Sequence, residues 1–265
     1  MKIFCRLLSA VALTGLAALT PALAQQATPA PAAPAASAVD QKALDLIKQM
    51  SDTLAKSKSI SFNVRRAFDE PAANGQPLFY MVSSTVSMQR PDKLKVITLG
   101  DGPASEFYYD GKEMAVLMPT ANLIAVESAP PKLDDLLDAA YTKAGIYFPW
   151  VDLIVSDPYS AITEGLTSAF VMGQSTVVGG VTTDIIAIAN KNVQAQIWIG
   201  AKDHLPRLAW LTPTQAKDKP RSMLEFSNWR LGAPLSASAF SHASHSKKAG
   251  RIKFARPDAA APAAH

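Results

Sequence analysis

A pair of histidines is the first feature whose spacing suggests chemistry. His242 and His245 stand three positions apart, so on a helix both imidazoles would share one face and could ligate a metal ion. Only Ala, Ser and Lys residues surround them, and no carboxylate ligand is close in sequence. We therefore interpret this segment as a solvated loop and predict no metal site. His204 precedes Leu205-Pro206, a pattern typical of a turn before a strand, and we assign it a structural or exposed role.

Serine and acidic residues do not form a catalytic set. Gly173-Gln174-Ser175 lacks the second glycine of a nucleophile elbow, because position 177 is valine. Asp134 and Asp135 suit the first turn of a helix, where carboxylates interact favourably with the helix dipole. Asp152 and Asp157 are either a polar pair or, in the interpretation we prefer, capping and turn-forming residues. We predict no catalytic residue, no cofactor and no enzymatic activity.

Large apolar side chains form the more informative set. Methionine side chains can repack around varied apolar shapes, and aromatic side chains bury large areas. Each such residue, taken alone, also fits an ordinary core. Burying an acyl chain of about 16 carbons is worth on the order of 10 kcal/mol before ordering costs. We predict that the following residues line a site for a hydrophobic ligand: Met114, Met118, Leu136, Leu137, Ile146, Phe148, Trp150, Ile154 and Trp198.

Composition excludes several classes of protein. The chain has 265 residues, of which 48% are hydrophobic and 18% charged, so it is not a generally disordered chain. Its single cysteine excludes a disulfide scaffold and a zinc ribbon. The formal net charge is +4, and the +2 that would remain after loss of Lys2 and Arg6 with the N-terminal segment is too small for a nucleic-acid-binding surface. We expect no nucleic-acid partner and a monomeric protein.

The N-terminus has the pattern of a secretory signal peptide. Lys2 and Arg6 precede an apolar run over Leu7–Leu19, and Ala22-Leu23-Ala24 matches a cleavage motif. The run is too short to span a membrane comfortably, so we predict cleavage after residue 24 and no transmembrane segment afterwards. Removing these 24 residues, with two basic side chains and no acid, would leave 241 residues and lower the net charge from +4 to +2. We expect a periplasmic protein of a Gram-negative bacterium.

Proline and alanine mark the predicted domain boundaries. Residues 25–38 are an Ala/Pro-rich linker, and residues 257–265 are a similar disordered tail. We place one folded domain over residues 39–256.

Two hydrophobic periodicities alternate within that domain. Asp40 can cap a helix whose apolar residues recur at helical spacing, and from Ser59 the period changes to two. Asn74-Gly75 and Asp110-Gly111 are strong hairpin signals. We predict one helix, five or six strands, two short helices and five or six further strands, with the second short helix starting at Pro149 and ending at Asp157-Pro158. The fold class is α+β, mainly β: a single curled antiparallel sheet forming an unclosed half-barrel around two or three helices.

Nine motifs in one order extend over roughly residues 40–255. The motifs are Arg90-Pro91-Asp92-Lys93-Leu94, Phe107-Tyr108-Tyr109-Asp110-Gly111-Lys112, Leu133–Gly145, Pro149-Trp150-Val151-Asp152-Leu153, Asp157-Pro158-Tyr159, Val178-Gly179-Gly180 through Asp184, Gln196-Ile197-Trp198-Ile199, Leu205-Pro206-Arg207-Leu208 and Ile252-Lys253-Phe254. With these motifs in this order, the chain resembles the predicted periplasmic proteins of domain of unknown function 2092. Thr183-Asp184-Ile185 departs from the Cys-Asp-His expected there, so we carry over no redox or metal role.

The resemblance implies a fold and a ligand class. The family is similar in architecture to LolA-type lipoprotein carriers and LppX-type lipid-binding proteins, whose unclosed half-barrels hold acyl chains under helices. It implies a LolA-like half-barrel and a non-catalytic carrier of a lipid or a lipoprotein acyl chain. The alternative is an envelope protein-interaction or stress-sensing module on the same scaffold. A hydrolase would require His204 or Asp152 to meet a nucleophile brought there by the fold.

Overall fold

The computed structural model describes residues 39–216 and 219–255. The predicted signal peptide, linker and C-terminal tail therefore lie outside the described residues. The first half of the described chain consists of α1 (Gln41–Ala55), β1 (Ser59–Pro71), β2 (Pro77–Gln89), β3 (Lys93–Gly100), β4 (Ser105–Tyr109), β5 (Glu113–Met118) and β6 (Leu123–Ser128).

The second half begins with helices and returns to strands. It consists of α2 (Leu133–Ala144), a 3-10 turn (Val151–Leu153), α3 (Pro158–Thr163), β7 (Ser168–Ser175), β8 (Thr183–Ala189), β9 (Val193–Gly200), β10 (Pro206–Pro213), β11 (Ser222–Leu231), a 3-10 turn (Ala237–Phe240) and β12 (Gly250–Ile252). In the described part of the chain, the helices are too short or too polar to cross a membrane.

All twelve strands form one sheet in the order β12-β6-β5-β4-β3-β2-β1-β11-β10-β9-β8-β7. The two halves of the chain meet at its centre, where β1 pairs with both β2 and β11. The edge strands β12 and β7 stand at opposite ends of this order, so the sheet is not closed into a barrel. The predicted fold class is confirmed, with one difference: β12 runs parallel to β6.

One face of the sheet, which we call the inner face, carries the core. In β1 the buried Ile60, Phe62 and Val64 alternate with more exposed residues, as expected of a strand with one covered face. Helix α1 packs its buried Ile47 and Leu54 into the same core. Its N-terminus is capped by the Asp40 carboxylate, which accepts a hydrogen bond from the Lys42 N–H.

A second, smaller core lies on the opposite, outer face. It contains Tyr108, Ala115, Leu117 and Ile124, and Ala249 of the C-terminal segment packs against it. The C-terminal segment thus covers β4–β6 on the outer face while β12 extends the sheet. The inner face of the sheet, by contrast, is covered by the helices and the segment that joins α2 to α3.

Candidate functional site

The segment between α2 and α3, residues 145–157, packs against the inner face of the sheet. Helix α2 ends at Gly145, whose φ of 65° is readily adopted by glycine and whose N–H bonds to the Ala140 and Tyr141 carbonyls. The chain then turns away from the helix axis and packs an apolar run against the core. We call residues 145–157 the crossing segment.

Aromatic rings fasten the crossing segment to the sheet. The rings of Phe148 and Trp150 stack with their centroids 5.0 Å apart. Trp150 meets Phe62 of β1 edge-on at 5.4 Å, and Phe148 meets Phe107 of β4 in the same way at 5.4 Å. Phe62 in turn stacks on Trp229 at 4.4 Å. Each of these geometries is a favourable arrangement of aromatic rings, so the segment is held at several points.

Polar contacts hold the end of the crossing segment. Arg90 Nη2 donates a hydrogen bond to the Val155 carbonyl at 2.9 Å, and the Ser156 N–H donates to Asp134 Oδ1 at 3.1 Å. Burial lowers the pKa of Arg90, and the nearby Asp134 carboxylate opposes that shift. Asp134 therefore does more than favour the dipole of α2, the role predicted from its position: it also ties α2 to the crossing segment.

An apolar cavity of about 120 Å³, the inner cavity, lies between the crossing segment, α3 and the second half of the sheet. Asp152 and Asn190 are the polar members of an otherwise apolar lining. The other lining residues are Pro149, Trp150, Leu153, Ala161, Ile162, Leu166, Ile188, Val193, Ala195, Ile197, Pro206, Ala209, Leu211, Leu224 and Phe226.

An open groove of about 460 Å³ lies on the α2 side of the same segment. We call it the tyrosine groove, because Tyr141 and Tyr147 line it with 49% and 61% of their surface exposed. Their rings lie 6.4 Å apart. The remaining lining residues are Leu137, Asp138, Ile146, Phe148 and Val151. Because the crossing segment contributes residues to both spaces, it forms part of the wall between them.

The structure brings only some of the nine predicted ligand-binding residues to these spaces. Leu137, Ile146 and Phe148 line the tyrosine groove, and Trp150 lines the inner cavity. The others lie as follows: Met114, Leu136 and Ile154 are fully buried in the core, Met118 is half-buried at the end of β5, and Trp198 is half-buried on β9. A ligand-binding role for all nine stays a prediction.

Trp198 lies on the outer face of the sheet. In β9 it alternates with Ile197 and Ile199, which belong to the inner core. Residues of the neighbouring strands β8 and β10 that do line the inner cavity, such as Ile188 and Ala209, were not among the predicted nine. The period-two alternation of each strand could have identified them. Once one residue of a strand is known to face inward, every second residue along that strand is expected to face inward as well.

Asp152 stands in the inner-cavity lining and does not cap the 3-10 turn after Trp150 with its side chain. The residue is exposed, and the neighbouring cavity residues limit the hydration of its carboxyl only in part; this raises its pKa, and the negative charge of Glu164 adds to the effect. Asp157, by contrast, caps α3: its carboxylate accepts from the Ser160 N–H at 3.1 Å. Capping is thus confirmed for Asp157, although Asp157-Pro158 begins a helix where we had expected one to end.

Replacing Asp152 by asparagine is expected to raise the melting temperature at pH 7 by about 1–2 °C, because a carboxylate that is poorly solvated when ionised is removed. A raised folded-state pKa destabilises the ionised form, so the gain should fade as pH falls below about 4, where the carboxyl is protonated in both states. Thermal melts at pH 7 and at pH 3.5 measure this. The matched Asp157→Asn should lower the melting temperature at pH 7, because hydrogen bonds from Ser160 lower the pKa of Asp157; equal effects of the two variants would contradict the assignment.

His242 corrects the prediction of a solvated loop. Only 9% of it is exposed, its Nε2 lies 2.7 Å from Glu113 Oε1, and its Nδ1 lies 2.9 Å from Ser246 Oγ. The carboxylate that was missing near it in sequence comes from β5, 129 residues away. His245 remains exposed and stacks on Tyr108 at 5.9 Å. Within residues 39–216 and 219–255, no three His, Cys, Asp or Glu side chains are grouped so as to hold a metal ion.

Comparisons with known proteins identify a family. A family model described as "Predicted periplasmic protein (DUF2092)" matches residues 43–255. No curated protein matches the chain.

Solved structures resemble the chain distantly. The Mycobacterium tuberculosis lipoprotein LppX is 16% identical and aligns with 75% of this chain and 100% of its own, with a TM-score of 0.48. The Pseudomonas aeruginosa MucA/MucB complex is 17% identical over 76% of this chain and 60% of that one, with a TM-score of 0.41. A LolA superfamily protein from Nitrosomonas europaea is 13% identical over 77% and 98%, with a TM-score of 0.31.

Proposed function

Because the chain belongs to the DUF2092 family of predicted periplasmic proteins, we propose that it is a non-catalytic periplasmic module that binds a hydrophobic ligand, a lipid or the acyl chain of a lipoprotein. The inner cavity is the observation that carries the proposal. It is nearly all apolar in lining, and it lies between an unclosed sheet and a short segment that crosses its inner face. The predicted export signal over residues 1–24 would deliver the protein to the compartment that the family description names.

The size of the cavity determines how a ligand would enter. Pockets for drug-sized ligands are usually about 300–1,000 Å³, and the inner cavity, at about 120 Å³, is smaller. A long acyl chain would therefore displace the crossing segment and join the cavity to the tyrosine groove. The movement would open the Trp150–Phe62 and Phe148–Phe107 pairs, each worth about 0.5–1.5 kcal/mol beyond the area that it buries. The acyl chain, whose burial is worth on the order of 10 kcal/mol, would cover the apolar surface that the segment leaves. Binding would thus replace the protein's own aromatic contacts with ligand contacts.

Filling the inner cavity tests the proposal. Ala209 is 8% exposed and lines the cavity, so Ala209→Leu places three further carbons inside it. We expect the wild-type protein to bind a fluorescent C16 fatty acid and this variant to bind it about tenfold more weakly, since roughly 1.4 kcal/mol of ligand contact is lost. Fluorescence titration measures the difference.

The matched control is Ala187→Leu. Ala187 lies on β8 between Ile186 and Ile188, whose side chains belong to the inner core, so it faces the outer side of the sheet. This variant should bind the probe as the wild type does. The proposal fails if the wild-type protein binds no fatty-acid probe and carries no co-purified lipid in native mass spectrometry.

A protein partner is the second candidate function, favoured by apolar side chains on the outer face. Phe79 and Leu99 are 63% and 58% exposed, and Met81, on the same face of β2 as Phe79, is 38% exposed. Adjacent exposed apolar residues of this kind mark interaction surfaces. A stable partner captured from envelope extracts by the wild type but not by a Phe79→Ser, Leu99→Ser double variant would support it, and equal capture by both would count against it.

A further inference from the structure

Arg66 is a cation placed on the apolar inner face. It follows Phe62 and Val64 at the two-residue spacing of β1, and both of those belong to the inner core. On the neighbouring strand its register partner is Leu224, which lines the inner cavity. Burial lowers the pKa of Arg66, and the Tyr147 hydroxyl and the Glu70 carboxylate lie near enough to oppose that shift. Arg66 lines neither space itself: its guanidinium lies near Tyr147, which lines the tyrosine groove, and its strand neighbour Leu224 lines the inner cavity.

The contacts of Arg66 with described residues include no salt bridge, and the Glu70 carboxylate acts on it only from beyond contact distance. Its Nε donates to Ser222 Oγ at 3.1 Å, and its guanidinium carbon lies 4.0 Å from the centre of the Phe68 ring. Among the residues that the structure describes, no carboxylate lies within 4.0 Å of it. A half-buried cation is costly unless it is paired, because it loses hydration without gaining an ion pair. The arrangement is that of a group whose anionic partner comes from outside the chain.

We propose that Arg66 binds the anionic head group of the ligand, which is a single-chain amphiphile ending in a carboxylate or a phosphate. This inference rests on the proposed function, because the chain of the amphiphile would occupy the inner cavity and the tyrosine groove. A guanidinium offers a planar fork of donors that matches both oxyanions. Asp152 and Glu164 disfavour a head group near them by charge repulsion, so the head group lies at Arg66 and the acyl chain runs across the inner face.

Head-group preference tests this assignment. The probes are hexadecanoate, hexadecyl phosphate, hexadecanol and inorganic phosphate, titrated against the wild type, Arg66→Gln and Arg65→Gln. Arg65 is the matched control: it is the adjacent residue of β1, it is exposed on the outer face, and it pairs with Glu225. The two variants lose the same charge from neighbouring positions of one strand.

We expect the wild type and Arg65→Gln to bind hexadecanoate and hexadecyl phosphate at least tenfold more tightly than hexadecanol. Arg66→Gln should lose that preference and bind hexadecanol as tightly as the wild type does. Inorganic phosphate should bind at least a hundredfold more weakly than hexadecyl phosphate.

Four results separate failure of this inference from failure of the proposed function. Equal wild-type affinity for hexadecanoate and hexadecanol, or an unchanged preference in Arg66→Gln, overturns the head-group assignment and leaves ligand binding intact. Inorganic phosphate that binds as tightly as hexadecyl phosphate overturns it in favour of a site for the free anion. No binding of any C16 probe, together with no co-purified lipid in native mass spectrometry, overturns the proposed function itself. If Arg66→Gln does not fold, as judged by circular dichroism, the wild-type comparison of hexadecanoate with hexadecanol decides alone.

Discussion

Replacement of Trp150 by alanine is expected to lower the free energy of unfolding by about 3–5 kcal/mol, the usual cost of removing a large aromatic side chain from a core. Trp150 is 4% exposed, stacks on Phe148 and meets Phe62 edge-on. The variant loses apolar burial and both ring contacts, and it leaves a void beside the inner cavity. Because the crossing segment is held largely by these rings, the loss should also speed the exchange of its backbone amides with solvent. Urea denaturation followed by circular dichroism measures the first effect, and hydrogen exchange measures the second.

Trp198→Ala provides the control. The same side chain is removed from a half-buried position on the outer face of β9, so we expect a loss of only about 1 kcal/mol. Amide exchange in the crossing segment should stay at the wild-type rate. Similar losses of stability in the two variants would mean that Trp150 does not hold the segment in place.

Replacement of Gly100 by alanine is expected to cost about 2–4 kcal/mol, from backbone strain combined with a steric clash. Gly100 has a φ of +145°, a region that residues with a side chain rarely adopt. An added Cβ would lie 2.4 Å from the Met81 carbonyl oxygen and 2.7 Å from the Val82 Cα. Both atoms belong to the backbone of β2, so no side-chain rotation relieves the contact, and the pairing of Val82 with Gly100 must open.

Gly102→Ala is the matched control for this prediction. The site is two residues away, and nothing lies within 4 Å of an added Cβ. We expect an unchanged or slightly higher melting temperature, because alanine restricts the unfolded chain more than glycine does. Equal melting temperatures for the two variants would show that the end of β3 relaxes around the added methyl group.

Local patterns were sufficient to predict most of the fold. Period-two alternation identified the buried residues of β1, and Asp40 identified the start of α1, because both signals depend on neighbours along one chain segment. Asp110-Gly111 placed the turn between β4 and β5 for the same reason. The parallel pairing of β12 with β6 could not be predicted. β12 has only three residues, and so short a sequence carries no signal for which edge of the sheet it joins or in which direction.

The candidate site was harder to predict, because its residues come from distant segments. Trp150 was identified by its apolar neighbours, but the inner cavity also needs Ala209 and Leu224, which are ordinary strand residues until the sheet brings them together. The pairing of His242 with Glu113 across the fold was likewise invisible in the local sequence. The type of side chain is enough to predict that a residue lies in the core. Whether that residue faces a cavity depends on how completely its partners fill the space.

The central position of β1 has a consequence for the order in which the protein assembles. β1 pairs with β2 through a short turn, yet its other edge is completed only by β11. Arg65 thus pairs with Glu225, which follows it in the chain by 160 positions. A chain made from its N-terminus therefore exposes the hydrogen-bonding groups of a long strand edge until nearly all of it has emerged. Such distant pairings slow folding and leave an edge open to other chains.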